Sequence, residues 1–221
     1  MLKRGSADMC ANFQPPPLEK LLAWGFAIAE DAQYKAEVFP GQVAPVVTSA
    51  DPNRIHLACF GLVPHWAAPK LARMTYNARS ETVASKPSFR AAWRNGQLAA
   101  IPVQCFYEPN YETGKPIRHA IRRKDGEPFW LAGLWEQRMD DPGPTRLSFT
   151  LLTMAAAGHP IMGRMHGPED EKRSVVVMEG EERDDWLKAS IPNRRHFIRL
   201  FDESDFNDEA APRAARRPTL L

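Results

Sequence analysis

Cys10 follows directly on Met9, and a cysteine at a chain start can do chemistry closed to an internal one. Once Met9 and whatever precedes it are gone, thiol and α-amine sit on neighbouring carbons. Such a 1,2-aminothiol condenses with an aldehyde and closes to a five-membered thiazolidine. The same terminus can act as an amidase nucleophile, with the amine as base. The alternative is a small buried hydrophobe, a common fate of free cysteine. Four further segments set polar residues into apolar surroundings. Gly61-Leu62-Val63-Pro64-His65-Trp66 is a proline-turned strand end presenting an aromatic. Tyr76-Asn77-Ala78-Arg79-Ser80-Glu81-Thr82 holds an amide, a guanidinium and a carboxylate within one or two turns. The apolar stretch from Pro102 ends in Glu108, a partly desolvated carboxylate suited to proton transfer. Ile161-Met162-Gly163-Arg164-Met165-His166 is a turn carrying Arg and His. Structural alternatives stand beside these: Asn77 as a helix cap, Glu108 as an ion-paired strand end, Arg79 and Glu81 as a mutual salt bridge.

The elements that must position these groups follow from composition and patterning. The 221 residues, 43% hydrophobic and 25% charged, suit one ordinary-to-large globular domain or two small ones. Twenty prolines against 13 glycines argue against long uninterrupted helices. The three cysteines, Cys10, Cys59 and Cys105, are odd in number, far apart and without a C-x-x-C, which points to a reducing cytosol and no zinc site. No apolar run reaches the ~18 residues of a spanning helix, and residues 1–8 lack the apolar centre of a signal peptide. Net charge is only +2, but residues 118–124 are basic and residues 202–209 acidic. A local basic face suits a groove for one nucleic-acid strand, and equally an ordinary solvated surface.

Leu18 to Gly25 reads as one or two helical turns, with Leu18, Leu21, Leu22 and Phe26 on one stripe. Residues 38–50 give a turn and a short strand, and 55–63 a strand ended by Pro64. Residues 80–94 read as a helix with Phe89, Ala92 and Trp93 inward, broken near Pro87. Residues 99–107 form a second apolar strand. Residues 117–123 and 128–135 read as a hairpin turning at Asp125-Gly126. Residues 148–153 and 174–178 are buried strands, and Trp186 lies in a short helix opening at Glu181. From about residue 207 the chain is polar and rich in Ala, Pro and Arg, the composition of a disordered tail. The whole reads as one mixed, β-rich α+β domain.

From Met9 to about Trp186 the sequence resembles the SOS-response-associated peptidase (SRAP) family, the abasic-site-crosslinking proteins. The family begins Met-Cys, as Met9-Cys10 does. Its Trp-Gly-Leu-x-Pro-x-Trp element is similar to Phe60 through Trp66, and its Asn-Ala-Arg-x-Glu-Thr element is intact at residues 77–82. Phe89 to Trp93, Ile101-Pro102 through Glu108, Ala132 to Glu136 and Phe149 to Thr153 continue the match in order. The resemblance implies an SRAP-type domain over residues 9–206, with short helices packed around a mixed, barrel-like sheet. A leader would occupy 1–8 and a tail 207–221. It also implies covalent capture of abasic sites in single-stranded DNA during the SOS response to DNA damage, with autoproteolytic and lyase activity. The Cys10 amine would attack the ring-opened sugar aldehyde and its thiol would close the thiazolidine. Asn77 would position the terminus or sugar, Glu108 would open the deoxyribose and shuttle protons, Arg79 would grip a phosphate, and Trp66 would stack on a base. Arg164 joins the DNA-binding set. The implied protein is a cytoplasmic monomer, free of membrane, metal and organic cofactor.

The match departs at several positions. Aligning on Arg164 puts Met162 where the family carries its catalytic His. His166 is then expected to take the proton-shuttle role, with His159 as the alternative. Asn12 stands where the family has Arg, and Pro109 follows the glutamate where it has Trp. With residues 1–9 attached, the Cys10 nitrogen is an amide and cannot form a Schiff base. Translation starting at Met9 meets the family pattern; removal of a leader is the other route. Two rivals remain: a Cys-dependent peptidase or amidase using the same Cys10 and Glu108, and a non-covalent single-strand binding module.

Overall fold

The computed structural model describes residues 11–139 and 145–213. Its strands are β1 (Phe13–Gln14), β2 (Val43–Thr48), β3 (Asp51–Phe60), β4 (Asn77–Arg79), β5 (Leu98–Val103), β6 (Cys105–Asn110), β7 (Ile117–Arg123), β8 (Phe129–Met139), β9 (Thr145–Ala155), β10 (Arg173–Val175), β11 (Val177–Met178) and β12 (Phe206–Ala210). One sheet has the order β1-β6-β7-β12; the other runs β10-β9-β3-β2-β5-β8-β11 with β4 beside β9. Because β8 also pairs with β9, strands β9, β3, β2, β5 and β8 close on themselves. The β3–β9 and β4–β9 pairings are parallel and the rest antiparallel, so this is the mixed, barrel-like sheet expected.

Both faces of β5 and of the central parts of β2, β8 and β9 are buried, and alternate residues sort into two cores. Phe60, Ile101, Leu131, Phe149 and Leu151 meet Phe13, Phe106, Ile121 and Phe206 of the smaller sheet in the first. Val47, Ala100, Ala132, Leu134 and Leu152 form the second, with Leu21 of α1 (Leu18–Ala23), Ala92 of α2 (Arg90–Arg94) and Trp186 of α3 (Glu182–Leu187). The Trp186 indole donates to the Ala99 carbonyl at 2.9 Å, satisfying its one polar group.

Four local expectations are corrected. Residues 80–89 are turns, and only Arg90–Arg94 are helical, because Pro87 lacks the N–H a helix needs. Residues 99–107 split at Gln104 into β5 and β6, which enter different sheets. Leu22 is exposed although Leu21 and Phe26 are buried. The hairpin across Asp125-Gly126 does not form. The turn is there, with Gly126 at φ +75°, but it passes the chain from one sheet to the other. A turn signal fixes a reversal, not the strand that receives it, and β7 finds partners on both edges in β6 and β12.

The partner β12 occupies residues read as the start of the tail. Phe206 anchors it in the first core, and the acidic run lies against the basic one: Arg122 meets Glu209 at 3.1 Å and His119 meets Asp208 at 2.9 Å. Cross-strand opposite charges favour such pairing. Much of the basic run is thus turned toward β12.

Candidate active site

Glu108 and His166 meet in a sealed place. Inward-facing positions of β6 run Phe106, Glu108, Asn110, so the carboxylate stands one pleat beyond the core phenyl ring. His166 Nε2 lies 3.0 Å from Glu108 Oε2, and both side chains are 1% exposed. An ionised carboxylate only accepts, so Nε2 carries the proton in that state. His166 Nδ1 is buried without a hydrogen-bond partner among the described residues. His166 also has φ +65°, a left-handed conformation uncommon outside glycine. Its backbone N–H donates to Pro109 O at 2.7 Å. The Lys172 ammonium donates to the carbonyls of Met165, His166 and Gly167 at 2.8, 3.1 and 2.8 Å. Three ammonium donors on three successive carbonyls fix the turn that aims the imidazole. Lys172→Met is therefore expected to cost about 1–3 kcal/mol in stability, read by denaturant unfolding, and to release His166 from Glu108.

His159 has a different task. Its Nδ1 accepts from the Ile161 and Met162 amides at 3.2 and 3.1 Å, and its Nε2 donates to Phe201 O at 3.0 Å. Both nitrogens are spent on backbone.

Asn77 opens β4, not a helix. It lies opposite Leu151 of β9 while Ala78 is buried in the second core. Alternation therefore turns Asn77 toward the layer lined by Leu151 and Phe106, the layer into which Glu108 projects. β1 leads the chain there too. Phe13 is fully buried, edge-on to Phe60 at 5.3 Å, and lies opposite Phe106. It exchanges two backbone hydrogen bonds with Val38, and the Tyr107 amide donates to Asn12 O at 3.2 Å. Toward the N-terminus, β1 thus runs along β6 in the direction of Glu108. Cys10 and the leader lie outside the described residues. Of the other cysteines, burial pushes both the Cys59 and the Cys105 thiol up, which disfavours the nucleophilic thiolate.

The three residues assigned to DNA lie further out. Arg79 pairs with Glu171 at 2.7 Å, both half-exposed. Glu81 instead joins Arg173, whose buried guanidinium also holds Glu171, so the Arg79–Glu81 bridge does not form. The hydrogen bond from Arg173 keeps the Glu171 carboxyl below its ordinary pKa. Arg164 is clamped, donating to Pro160 O, Asp208 and Glu112. Trp66 is 59% exposed and lines a surface groove with Lys70, Leu71, Arg73 and Met74.

The model of the SOS response associated peptidase (SRAP) family matches residues 9–211. The chain belongs to this family. It is 28% identical over 179 residues to abasic site processing protein YoqW of Bacillus subtilis, covering 79% of this chain and 75% of that one. It is 30% identical over 192 residues to abasic site processing protein YobE of the same organism, with 83% of each covered. A crystal structure of a protein from Bordetella bronchiseptica superposes with a TM-score of 0.82 at 28% identity, over 91% of this chain and 99% of that chain.

This SRAP chain accommodates its unusual positions in distinct ways. Met162, at the position of the family His, is fully buried in the first core. The turn that follows brings His166 to the glutamate instead. Asn12 is buried and donates to Glu37, which also holds Arg118 at 2.6 Å. Arg118 in turn stacks on the Tyr107 ring, 3.3 Å from its centroid. Asn12 therefore ties β1 to the fold. Pro109 gives its carbonyl to His166. Lys172, which fixes the His166 turn, has no sequence signal because it acts on backbone carbonyls and leaves no motif.

Proposed function

We propose that this protein processes abasic sites in single-stranded DNA by forming a covalent thiazolidine through Cys10. The observation that carries the reading is the buried Glu108–His166 pair: Glu108 lies on β6, the strand that β1 pairs with, and Cys10 precedes β1 by three residues in the sequence. The Cys10 amine adds to the sugar aldehyde, and the resulting carbinolamine loses water to a Schiff base. The thiol then adds to the imine carbon and its proton passes to nitrogen, so aldehyde and aminothiol give thiazolidine plus one water. Glu108 takes and returns the protons, His166 holds the carboxylate, and Asn77 orients the terminus or sugar. Outside the site, a half-exposed ion pair such as Arg79–Glu171 is worth little, so Arg79 can exchange its partner for a phosphate. Trp66 offers an exposed ring for base stacking beside Lys70 and Arg73. The names of the Bacillus relatives support the same substrate, and DNA as partner fits a protein acting in the cytoplasm.

The test is incubation of the protein, its mature terminus established by intact mass, with single-stranded DNA carrying one abasic site. A complex that survives denaturing electrophoresis is expected, absent with intact DNA. A complex dissolved by salt alone would replace this reading with reversible binding. Peptide hydrolysis without an adduct would replace it with the amidase.

A further inference from the structure

Glu108 and His166 are each 1% exposed, so a carboxylate that must change protonation state during the reaction has little direct access to water. A second histidine lies beside it. His119 on β7 is the register partner of Glu108 on β6. Directly opposed residues in an antiparallel pair leave the same face with Cβ atoms about 4.5–5.5 Å apart. His119 is 17% exposed, and its Nδ1 lies 2.9 Å from Asp208 Oδ2, itself 10% exposed. A carboxylate accepts, so Nδ1 carries hydrogen and Nε2 carries the lone pair. Arg164 fixes Asp208 from the other side, Nη2 to Oδ1 at 2.6 Å, and is itself steadied by Pro160 O and, at 3.4 Å, Glu112. The groups facing His119 are thus Glu108 from β6, with His166 behind it, and Asp208 from β12, with Arg164 behind it.

The geometry points to His119, oriented by Asp208, as a positioning residue that relays protons between solvent and Glu108. In one direction hydronium from solvent protonates Nε2 to the imidazolium, leaving water, and the imidazolium gives a proton to the Glu108 carboxylate and returns to neutral imidazole. In the other, the Glu108 acid proton leaves by the same nitrogen. The histidine–carboxylate pair is set across β6, β7 and β12, so the C-terminal strand is part of the proton path as well as of the fold. This inference rests on the proposed function, because it needs Glu108 to exchange protons.

The experiment follows the rate of adduct formation with abasic-site single-stranded DNA across about pH 5.5–8.5 for wild type, His119→Ala and Asp208→Asn, with melting temperature alongside. His119→Ala is expected to lose about tenfold in rate near neutrality and to recover on addition of free imidazole. Asp208→Asn, which keeps its shape, is expected to displace the pH profile without unfolding the protein. A His119→Ala variant with wild-type rate and profile would overturn the relay. So would a folded variant whose loss imidazole does not restore, since that is a packing effect. An active wild type with either result leaves the proposed function standing; an inactive wild type removes the function and the relay together.

Discussion

Cys10→Ala should form no thiazolidine, yet should still form a borohydride-trappable Schiff base. Alanine at the mature terminus keeps the α-amine, which can attack the aldehyde, but has no sulfur to close the ring. Stable adduct on a denaturing gel is therefore expected to fall to the level of the DNA-only control, while reductive trapping retains a band. The internal thiols give the control. Cys59 and Cys105 are held as thiols by burial and have no α-amine, so Cys59→Ala and Cys105→Ala are expected to crosslink as wild type does. Stable adduct from Cys10→Ala, or its loss in either internal variant, would refute the assignment. The salt response separates the rival binding module: phosphate contacts weaken steeply with ionic strength, whereas a closed ring does not. If residues 1–9 remain attached, the Cys10 nitrogen is an amide and no thiazolidine can form there, and the intact mass reports that directly.

How much of this was legible in the sequence depends on what each feature needed. The barrel strands were readable because short, β-branched apolar runs have few alternative homes, and Ser148–Thr153 and Leu98–Val103 ended up buried on both faces. Glu108 was readable as a carboxylate closing such a run. His166 was harder: the aligned position holds Met162, and only the left-handed turn at His166, under the Lys172 clamp, carries an imidazole to the glutamate. The hairpin failed because a local turn signal says nothing of partners three strands away. The tail boundary failed because composition hid one anchor, Phe206, and the charge match between β12 and β7. Pairings between distant segments, not residue types, were what the sequence withheld.

Glu108→Gln should separate chemistry from folding. Glutamine has nearly the same shape and its amide oxygen can still accept from His166 Nε2, so the buried contact survives without its charge. It cannot take up a proton from the amine or return one to the departing water. A loss of about 10²–10⁴ in adduct rate is expected, with a melting temperature close to wild type. His166→Ala should behave in the opposite sense on stability. It takes the imidazole donor from a carboxylate at 1% exposure, and removing one partner of a buried hydrogen bond costs about 1–3 kcal/mol. The melting temperature should therefore drop well below that of Glu108→Gln. Combining the two changes should restore part of the stability, because the double variant buries no carboxylate that has lost its imidazole donor. Full-rate adduct formation by Glu108→Gln would remove the glutamate from the reaction. Equal destabilisation by both single variants would mean the pair is held by packing, not by the carboxylate's need for a donor.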